Sequence, residues 1–69
     1  MPFVNIKVSN EGVPTREQKA EIIEGVTELL TRILNKKSST VVVIIEEVDM
    51  DNWGVGGETL SMRRALKGQ

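Results

Sequence analysis

Residues 41–45 form an unbroken run of valine and isoleucine, and this run constrains the fold more than any other segment of the 69-residue chain. Every side chain in the run is β-branched, which favours a strand. The run does not alternate with polar residues, so the strand needs apolar cover on both of its faces. The chain must therefore supply two covering layers for this strand, or obtain one of them from another molecule.

The segments before this run predict one strand and one helix. Residues 3–8 carry valine or isoleucine at every second position, as in a half-buried strand. A helix should begin after Thr15, because Thr15 and Gln18 match a capping box. A continuous apolar stripe follows at helical spacing, and we expect the helix to end near Asn35. The stripe comprises Ile22, Ile23, Val26, Leu29, Leu30, Ile33 and Leu34.

Strand, helix and strand in this order predict a β-α-β unit of the α/β (α+β) class, with parallel strands and a right-handed crossover. The single helix covers one face of a two-stranded sheet, and the other face of the second strand then has no cover within the chain. Two strands are also too few for independent stability, and cysteines that could form disulfides are absent. We therefore expect one domain over residues 1–69 that is an obligate oligomer.

The glycine-rich segment after the second strand predicts tight turns. Glycines at positions 54, 56 and 57 follow Trp53, which is the only tryptophan, and they favour a short C-terminal hairpin. A phosphate-binding loop is the alternative interpretation, but the Lys-Ser/Thr and G-x-G-x-x-G patterns of such loops are missing. Residues 59–67 fit either a short helix or an extended tail.

Composition limits the chemistry of the chain. Histidine, cysteine and tyrosine are absent, which excludes Ser-His and Cys-His catalysis within one chain and removes the usual metal ligands. The 10 acidic residues nearly balance the 9 basic ones, so we expect no nucleic-acid partner. No apolar run is long enough to span a bilayer, so we expect no membrane partner. The opening residues lack the features of a signal peptide, and we expect the protein to be cytoplasmic.

Pro2 is the group best suited to accept a proton near neutral pH. Carboxyls titrate at about 4 and lysine at about 10.4, whereas an α-amino group ordinarily titrates close to neutrality. Removal of Met1 would give Pro2 a secondary amine, and burial would lower the pKa of that amine toward the range of a general base. With Met1 retained, the same nitrogen is an amide without a basic lone pair. The alternative interpretation is that the proline has no chemical role.

Four segments of the chain carry a family resemblance: M-P-F-V-N-I-K at 1–7, T-R-E-Q-K at 15–19, V-I-I-E-E at 43–47 and W-G-V-G-G-E at 53–58. In this order and spacing they resemble the 4-oxalocrotonate tautomerase family over nearly the whole chain. The resemblance implies β-α-β subunits whose dimers share a sheet, and a hexamer built as a trimer of dimers. It also implies a tautomerase that needs no cofactor, in which Pro2, freed from Met1, moves a proton between an enol oxygen and a distant carbon of a conjugated acid.

The resemblance also implies a substrate pocket. Trp53 stands where the family has an aromatic pocket residue, and Val55 stands where it has an apolar one. Ser9 and Thr40 fall where other members line the pocket. The implied substrate is a small enol or keto acid of the 2-hydroxydienoate type, bound in an aromatic pocket that several subunits assemble.

Two positions depart from the family's pattern. The hydroxymuconate tautomerases of this family hold carboxylates with two arginines, and here Val13 and Val42 stand at those places. Valine cannot make the paired hydrogen bonds by which arginine holds a carboxylate. The candidates to replace the missing arginines are Arg16, Arg63, Arg64 and Lys7.

Other hypotheses stand beside the enzyme. Loss of both arginines favours a non-catalytic oligomer that binds a ligand on the tautomerase scaffold. The basic pairs at 36–37 and 63–64 would favour nucleic-acid binding, although solvated helix ends explain them as simply. An acid-base pair of Glu46 and Glu47 is not expected, because adjacent strand residues point to opposite faces.

Overall fold

The chain folds as a β-α-β unit followed by a hairpin and a short helix. The computed structural model describes residues 2–66, and Met1, whose removal the catalytic hypothesis requires, lies outside them. Short 3₁₀ turns at Ser38–Thr40 and Met50–Asn52 lie on either side of the second strand. The strands are β1 (Phe3–Ser9), β2 (Val42–Val48), β3 (Gly54–Val55) and β4 (Glu58–Thr59), and the helices are α1 (Arg16–Leu34) and α2 (Leu60–Leu66).

The capping box predicted at the start of α1 is present. The Thr15 hydroxyl accepts a hydrogen bond from the Gln18 backbone N–H at 3.2 Å, and the Gln18 side chain accepts one from the Thr15 N–H at 2.8 Å. The helix ends at Leu34, where Asn35 adopts a left-handed conformation with a φ of 55° that closes the last turn. Both predicted ends of the helix are therefore confirmed.

Strands β1 and β2 lie side by side and run parallel, as strands joined by a crossover helix do. Phe3 pairs with Val42 at one end of the ladder, and Ser9 pairs with Val48 at the other. The ladder extends one residue further at its amino end, where the Val42 N–H donates to the Pro2 carbonyl at 3.0 Å. The predicted parallel β-α-β unit is confirmed.

Helix α1 covers only one face of this sheet. Lys19 Nζ of α1 lies 2.7 Å from Glu47 Oε1, which places residues 43, 45 and 47 of β2 on the side of the helix, because side chains alternate along a strand. On the opposite face, Phe3 is 61% exposed and Ile44 is 40% exposed. The strand face that the sequence predicted to need outside cover is therefore open in the protomer.

The protomer is long and thin for the length of its chain. Its radius of gyration is 15.5 Å and its extents are 46 × 24 × 15 Å, whereas a compact domain of this length would have a radius of gyration of about 11 Å. Within residues 2–65, Leu60 is the one hydrophobic side chain that is buried. A protomer of this shape protects little of its apolar surface from water by itself.

The predicted C-terminal hairpin is confirmed. Strands β3 and β4 are antiparallel and meet in a two-residue turn at Gly56 and Gly57. The φ angles of 61° and 89° at these residues are left-handed values that glycine adopts at little cost. The Leu60 N–H donates to the Trp53 carbonyl at 2.7 Å, so α2 begins directly against the start of the hairpin. Of the two alternatives for the tail, the helical one holds through residue 66.

Candidate functional site

Pro2 lies at the amino edge of the sheet, half-buried and immediately before β1. The hydrogen bond from the Val42 N–H to its carbonyl fixes the residue in line with the strand. Thr40 ends the turn before β2, and its hydroxyl donates to the Lys37 carbonyl at 2.7 Å. Pro2 and Thr40, both predicted site residues, therefore share one edge of the sheet.

Ser9, Trp53 and Val55 lie toward the opposite edge. Ser9 is the last residue of β1, and the rise of a strand puts it about 23 Å from Pro2. Trp53 and Val55 follow the carboxyl end of β2, where Trp53 is half-buried and Val55 is 42% exposed. One protomer therefore does not bring the predicted site residues together, and only a pocket assembled from several subunits would do so.

An open cavity of 790 Å³ lies at the carboxyl edge, between the end of β1 and the first turns of α1. Of the predicted site residues, Ser9 lines it. Val13, one of the two positions without the family's arginine, also lines it and is 57% exposed. The lining residues are Val8, Ser9, Glu11, Val13, Pro14, Gln18, Glu21 and Ile22.

Glu11, which the sequence did not single out, carries a hydrogen-bonded negative charge at this edge. The Arg64 guanidinium donates to it twice, from Nε to Oε1 at 2.8 Å and from Nη2 to Oε2 at 3.3 Å, and the Ser9 hydroxyl donates to Oε2. These donors, Arg64 first, hold the pKa of Glu11 below its usual range because they stabilise the carboxylate. Hydrogen bonding to Glu11 in turn raises the pKa of Arg64. Glu11 and Arg64 lie 53 residues apart, so no local pattern pointed to this pair.

The cations considered as replacements for the missing arginines differ in their contacts. Lys7 lies 2.6 Å from a glutamate of β2 on the open sheet face, and Arg63 lies 3.3 Å from the first residue of β4. Arg16 is exposed, and within residues 2–66 it forms no ion pair. In that part of the chain, Arg64 is the one cation paired with a side chain that lines the cavity.

The adjacent acids of β2 face opposite sides of the sheet, as predicted. Glu46 accepts hydrogen bonds from Lys7 and, at 2.8 Å, from the Asn5 side chain on the open face. These bonds, the one from Lys7 above all, lower the pKa of Glu46. Glu47 pairs with Lys19 of α1 on the other face. The two carboxylates therefore do not converge on one substrate.

Residues 2–66 contain no group of three or more acidic side chains arranged to hold a metal ion. In the same part of the chain, no helix combines the length and the apolar character needed to cross a bilayer.

Known proteins are similar to this chain over nearly its entire length. A family model described as tautomerase enzyme matches residues 2–63. The chain is 56% identical over 64 residues to a probable tautomerase K2 of Dickeya dadantii (strain 3937), covering 93% of this chain and 94% of that protein. It is 39% identical over 61 residues to a 2-hydroxymuconate tautomerase of Bacillus subtilis (strain 168), covering 88% of this chain and 95% of that protein.

The fold is also similar to that of solved tautomerase structures. A heterohexamer 4-oxalocrotonate tautomerase from Chloroflexus aurantiacus J-10-fl superposes with a TM-score of 0.79 at 26% sequence identity. The superposition covers 88% of this chain and 95% of that one, so the likeness includes the β-α-β unit and extends beyond it.

Proposed function

Because this chain belongs to the tautomerase family and is an isomerase of the 4-oxalocrotonate tautomerase type, we propose that it interconverts enol and keto forms of 2-hydroxydienoate-type or simple enol acids, with Pro2 as the catalytic base. The observation that carries the proposal is the family match over residues 2–63, which begins at Pro2. The relative named 2-hydroxymuconate tautomerase supports the substrate class. A non-catalytic ligand-binding module has no comparable support, since the relatives compared above are named tautomerases.

In this proposal Pro2 acts as a secondary amine after Met1 has been removed. The nitrogen accepts the proton of the substrate's 2-hydroxyl group. The carbon that bore this hydroxyl becomes the keto carbon, and the double bonds shift along the substrate's conjugated system. The same nitrogen then gives a proton to the distant carbon at the end of the conjugated system. No atom is gained or lost, so the reaction needs no cofactor. The position of Pro2 supports this role, because the bond from β2 fixes its carbonyl and with it the ring.

We place the complete pocket between protomers, in a hexamer built as a trimer of dimers. The separation of about 23 Å between the Pro2 and Ser9 edges and the open sheet face support an assembly in which Pro2 of one protomer meets Trp53 and Val55 of another. The Chloroflexus relative is itself a heterohexamer. Cytoplasmic residence belongs to the same proposal, and tautomerase activity measured in cell fractions tests it.

Ketonisation of 2-hydroxymuconate and of phenylenolpyruvate, followed by ultraviolet absorbance, tests the proposed activity. Intact mass first establishes that Met1 is absent. Replacing the base should lower kcat/KM by about 10²–10⁴-fold, and we expect this loss for Pro2→Ala. The matched control carries one extra residue before Pro2, which keeps the ring but turns its nitrogen into an amide, and it should also be inactive.

The pH dependence provides a second test of the same base. The kcat/KM value should rise with pH through the ionisation of the Pro2 amine, because only the free amine accepts a proton. Direct titration of that amine by NMR should give the same pKa. Full turnover by both Pro2→Ala and the extended chain would remove Pro2 from the mechanism. Absence of turnover by the parent protein without Met1 would favour the ligand-binding alternative.

A further inference from the structure

The pair of Glu11 and Arg64 is unusual in its location. Among the described residues it is the one ion pair that includes a side chain of the 790 Å³ cavity. The Arg64 side chain is 35% exposed and that of Glu11 is 27% exposed, so the pair lies at the cavity's rim and water reaches it. A pair in such a place is open to exchange with a solute.

The donors around Glu11 already form a carboxylate-binding arrangement. Arg64 presents Nε and Nη2 to the two oxygens of one carboxylate, and the Ser9 hydroxyl adds a third donor. A guanidinium matches a carboxylate in this two-point geometry better than any other side chain does. The carboxylate that these donors hold in the structure is the protein's own Glu11.

We infer that Arg64, assisted by Ser9, binds the carboxylate of the substrate, and that Glu11 is an internal competitor which yields its place when substrate enters. This inference rests on the proposed function, because an enol acid brings the carboxylate that the arrangement fits. The exchange leaves the charge on Arg64 paired, since one carboxylate replaces another. The neighbouring side chains of Val8, Val13 and Ile22 suit the hydrocarbon part of such an acid.

The remaining candidate cations are less well placed for this role. Lys7 is paired on the open sheet face, and Arg63 is paired within the hairpin and α2. Arg16 is exposed and does not line the cavity. Arg64 therefore has both a two-point contact with a carboxylate and a position at the rim of the cavity. The other three cations have neither.

Opposite effects of two single substitutions test the inference. Loss of a charge-assisted hydrogen bond corresponds to a change in affinity of roughly 10- to 100-fold, and we expect Arg64→Ala to raise the KM for 2-hydroxymuconate by this amount. Glu11→Gln should lower the KM, because it removes the competitor. In the Arg64→Ala background, Glu11→Gln should no longer lower it. If the pair only held the fold together, both single variants would shift the KM in the same direction, which would overturn the inference.

Two further variants separate binding from folding. Arg64→Lys keeps the charge near Glu11 but cannot make the two-point contact, so it should also raise the KM while its unfolding temperature stays at that of the parent. Arg63→Ala removes the neighbouring arginine of α2 and should leave the KM unchanged. A raised KM in Arg16→Ala together with a parental KM in Arg64→Ala would transfer the role to Arg16 and overturn the inference.

A binding measurement that does not need turnover distinguishes this inference from the proposed function. Trp53 is the only tryptophan and tyrosine is absent, so emission from one residue reports binding near the hairpin. Titration with cis,cis-muconate, a dicarboxylate without an enol, should show weaker binding in Arg64→Ala and tighter binding in Glu11→Gln. This pattern without turnover of 2-hydroxymuconate by the parent would refute the proposed function and keep Arg64 as the carboxylate site. Normal turnover with unchanged muconate affinity in Arg64→Ala would keep the function and refute the role of Arg64.

Discussion

The carboxylates of Glu46 and Glu11 are each paired with a cation that lies far away along the chain. Glu46 accepts hydrogen bonds from Lys7 and Asn5 across the parallel ladder. Alternation along the strand was sufficient to predict that Glu46 points away from Glu47. No such rule predicts the partner of Glu11, because Arg64 comes from the other end of the chain. The sequence therefore indicated Pro2 through elimination of other bases and the other candidate site residues through resemblance, but it could not indicate the contact between Glu11 and Arg64.

Glu46→Gln should cost stability only where Glu46 is ionised in the native protein. Lys7, and then Asn5, lower the pKa of Glu46 in the folded state. The stabilisation is therefore complete above the ordinary value of 4.5 and is lost as the pH falls through the lower native value. Thermal unfolding at fixed protein concentration should give the variant a lower midpoint than the parent at neutral pH, and the two midpoints should converge in acid.

Glu24→Gln is the matched control for this pH dependence. Glu24 is exposed on α1 and forms no ion pair within the part of the chain that the structure describes. Its variant should follow the parent at every pH. A deficit in Glu46→Gln that persisted unchanged into acid would contradict the role given to Lys7 and Asn5.

At the scale of elements, predictability follows how local the signal is. The start of α1 could be predicted because Thr15 and Gln18 lie within one turn of each other. The hairpin could be predicted because its glycines lie next to Trp53. The seven residues of α2 carry too short a pattern to separate a helix from an extended tail. Its contact with the loop after β1 through Arg64 is what only the structure shows.

Thr15→Ala should destabilise α1 by about 1 kcal/mol, the usual cost of removing an N-cap side chain. The Gln18 N–H would lose its acceptor, and the measurement is urea-induced unfolding at fixed protein concentration. Thr31→Ala is the matched control, because the Thr31 hydroxyl is buried and has no hydrogen-bond partner within residues 2–66. Equal losses in the two variants would show that the cap contributes nothing specific.

Gly57→Ala should loosen the hairpin, because Gly57 has a φ of +89° and a left-handed conformation costs other residues about 1–2 kcal/mol. The emission of Trp53 should shift, since its carbonyl holds the start of α2. Gly54→Ala is the control, because its new Cβ would meet only the Glu58 carbonyl oxygen, at an ordinary 3.8 Å. An unchanged emission spectrum in Gly57→Ala would contradict the link between this turn and the Trp53 environment.

At the scale of the whole molecule, the need for partners was predictable and the geometry of the assembly was not. Counting the faces of two strands against one helix already left one face open, and the exposed Phe3 and Ile44 confirm this. Which edge of one protomer meets which edge of another depends on contacts between copies, and these are not encoded in any local pattern. The pocket residues therefore stay a prediction, and the sequence does not indicate where in an assembly they would meet.

Ile44→Lys should dissociate the assembly, because it puts a charge on the open sheet face. Sedimentation velocity should show a smaller species than the parent at equal concentration. The unfolding midpoint of the parent should rise with protein concentration, as expected when folding and association are linked. Ala20→Lys, at an exposed position of α1, is the control and should sediment like the parent. A parent midpoint independent of concentration would contradict obligate association.

The distance between the two edges of the protomer has a genetic consequence. On the proposed assembly, each pocket takes its proline from one subunit and its carboxyl-edge residues from another. Alleles damaged at opposite edges would then complement each other in mixed assemblies, because some pockets would inherit both intact halves. An allele damaged at one edge would likewise disable pockets shared with healthy subunits. The activity of a mixed assembly would therefore depend on which intact edges meet in each pocket, and not on whether any single subunit is intact throughout.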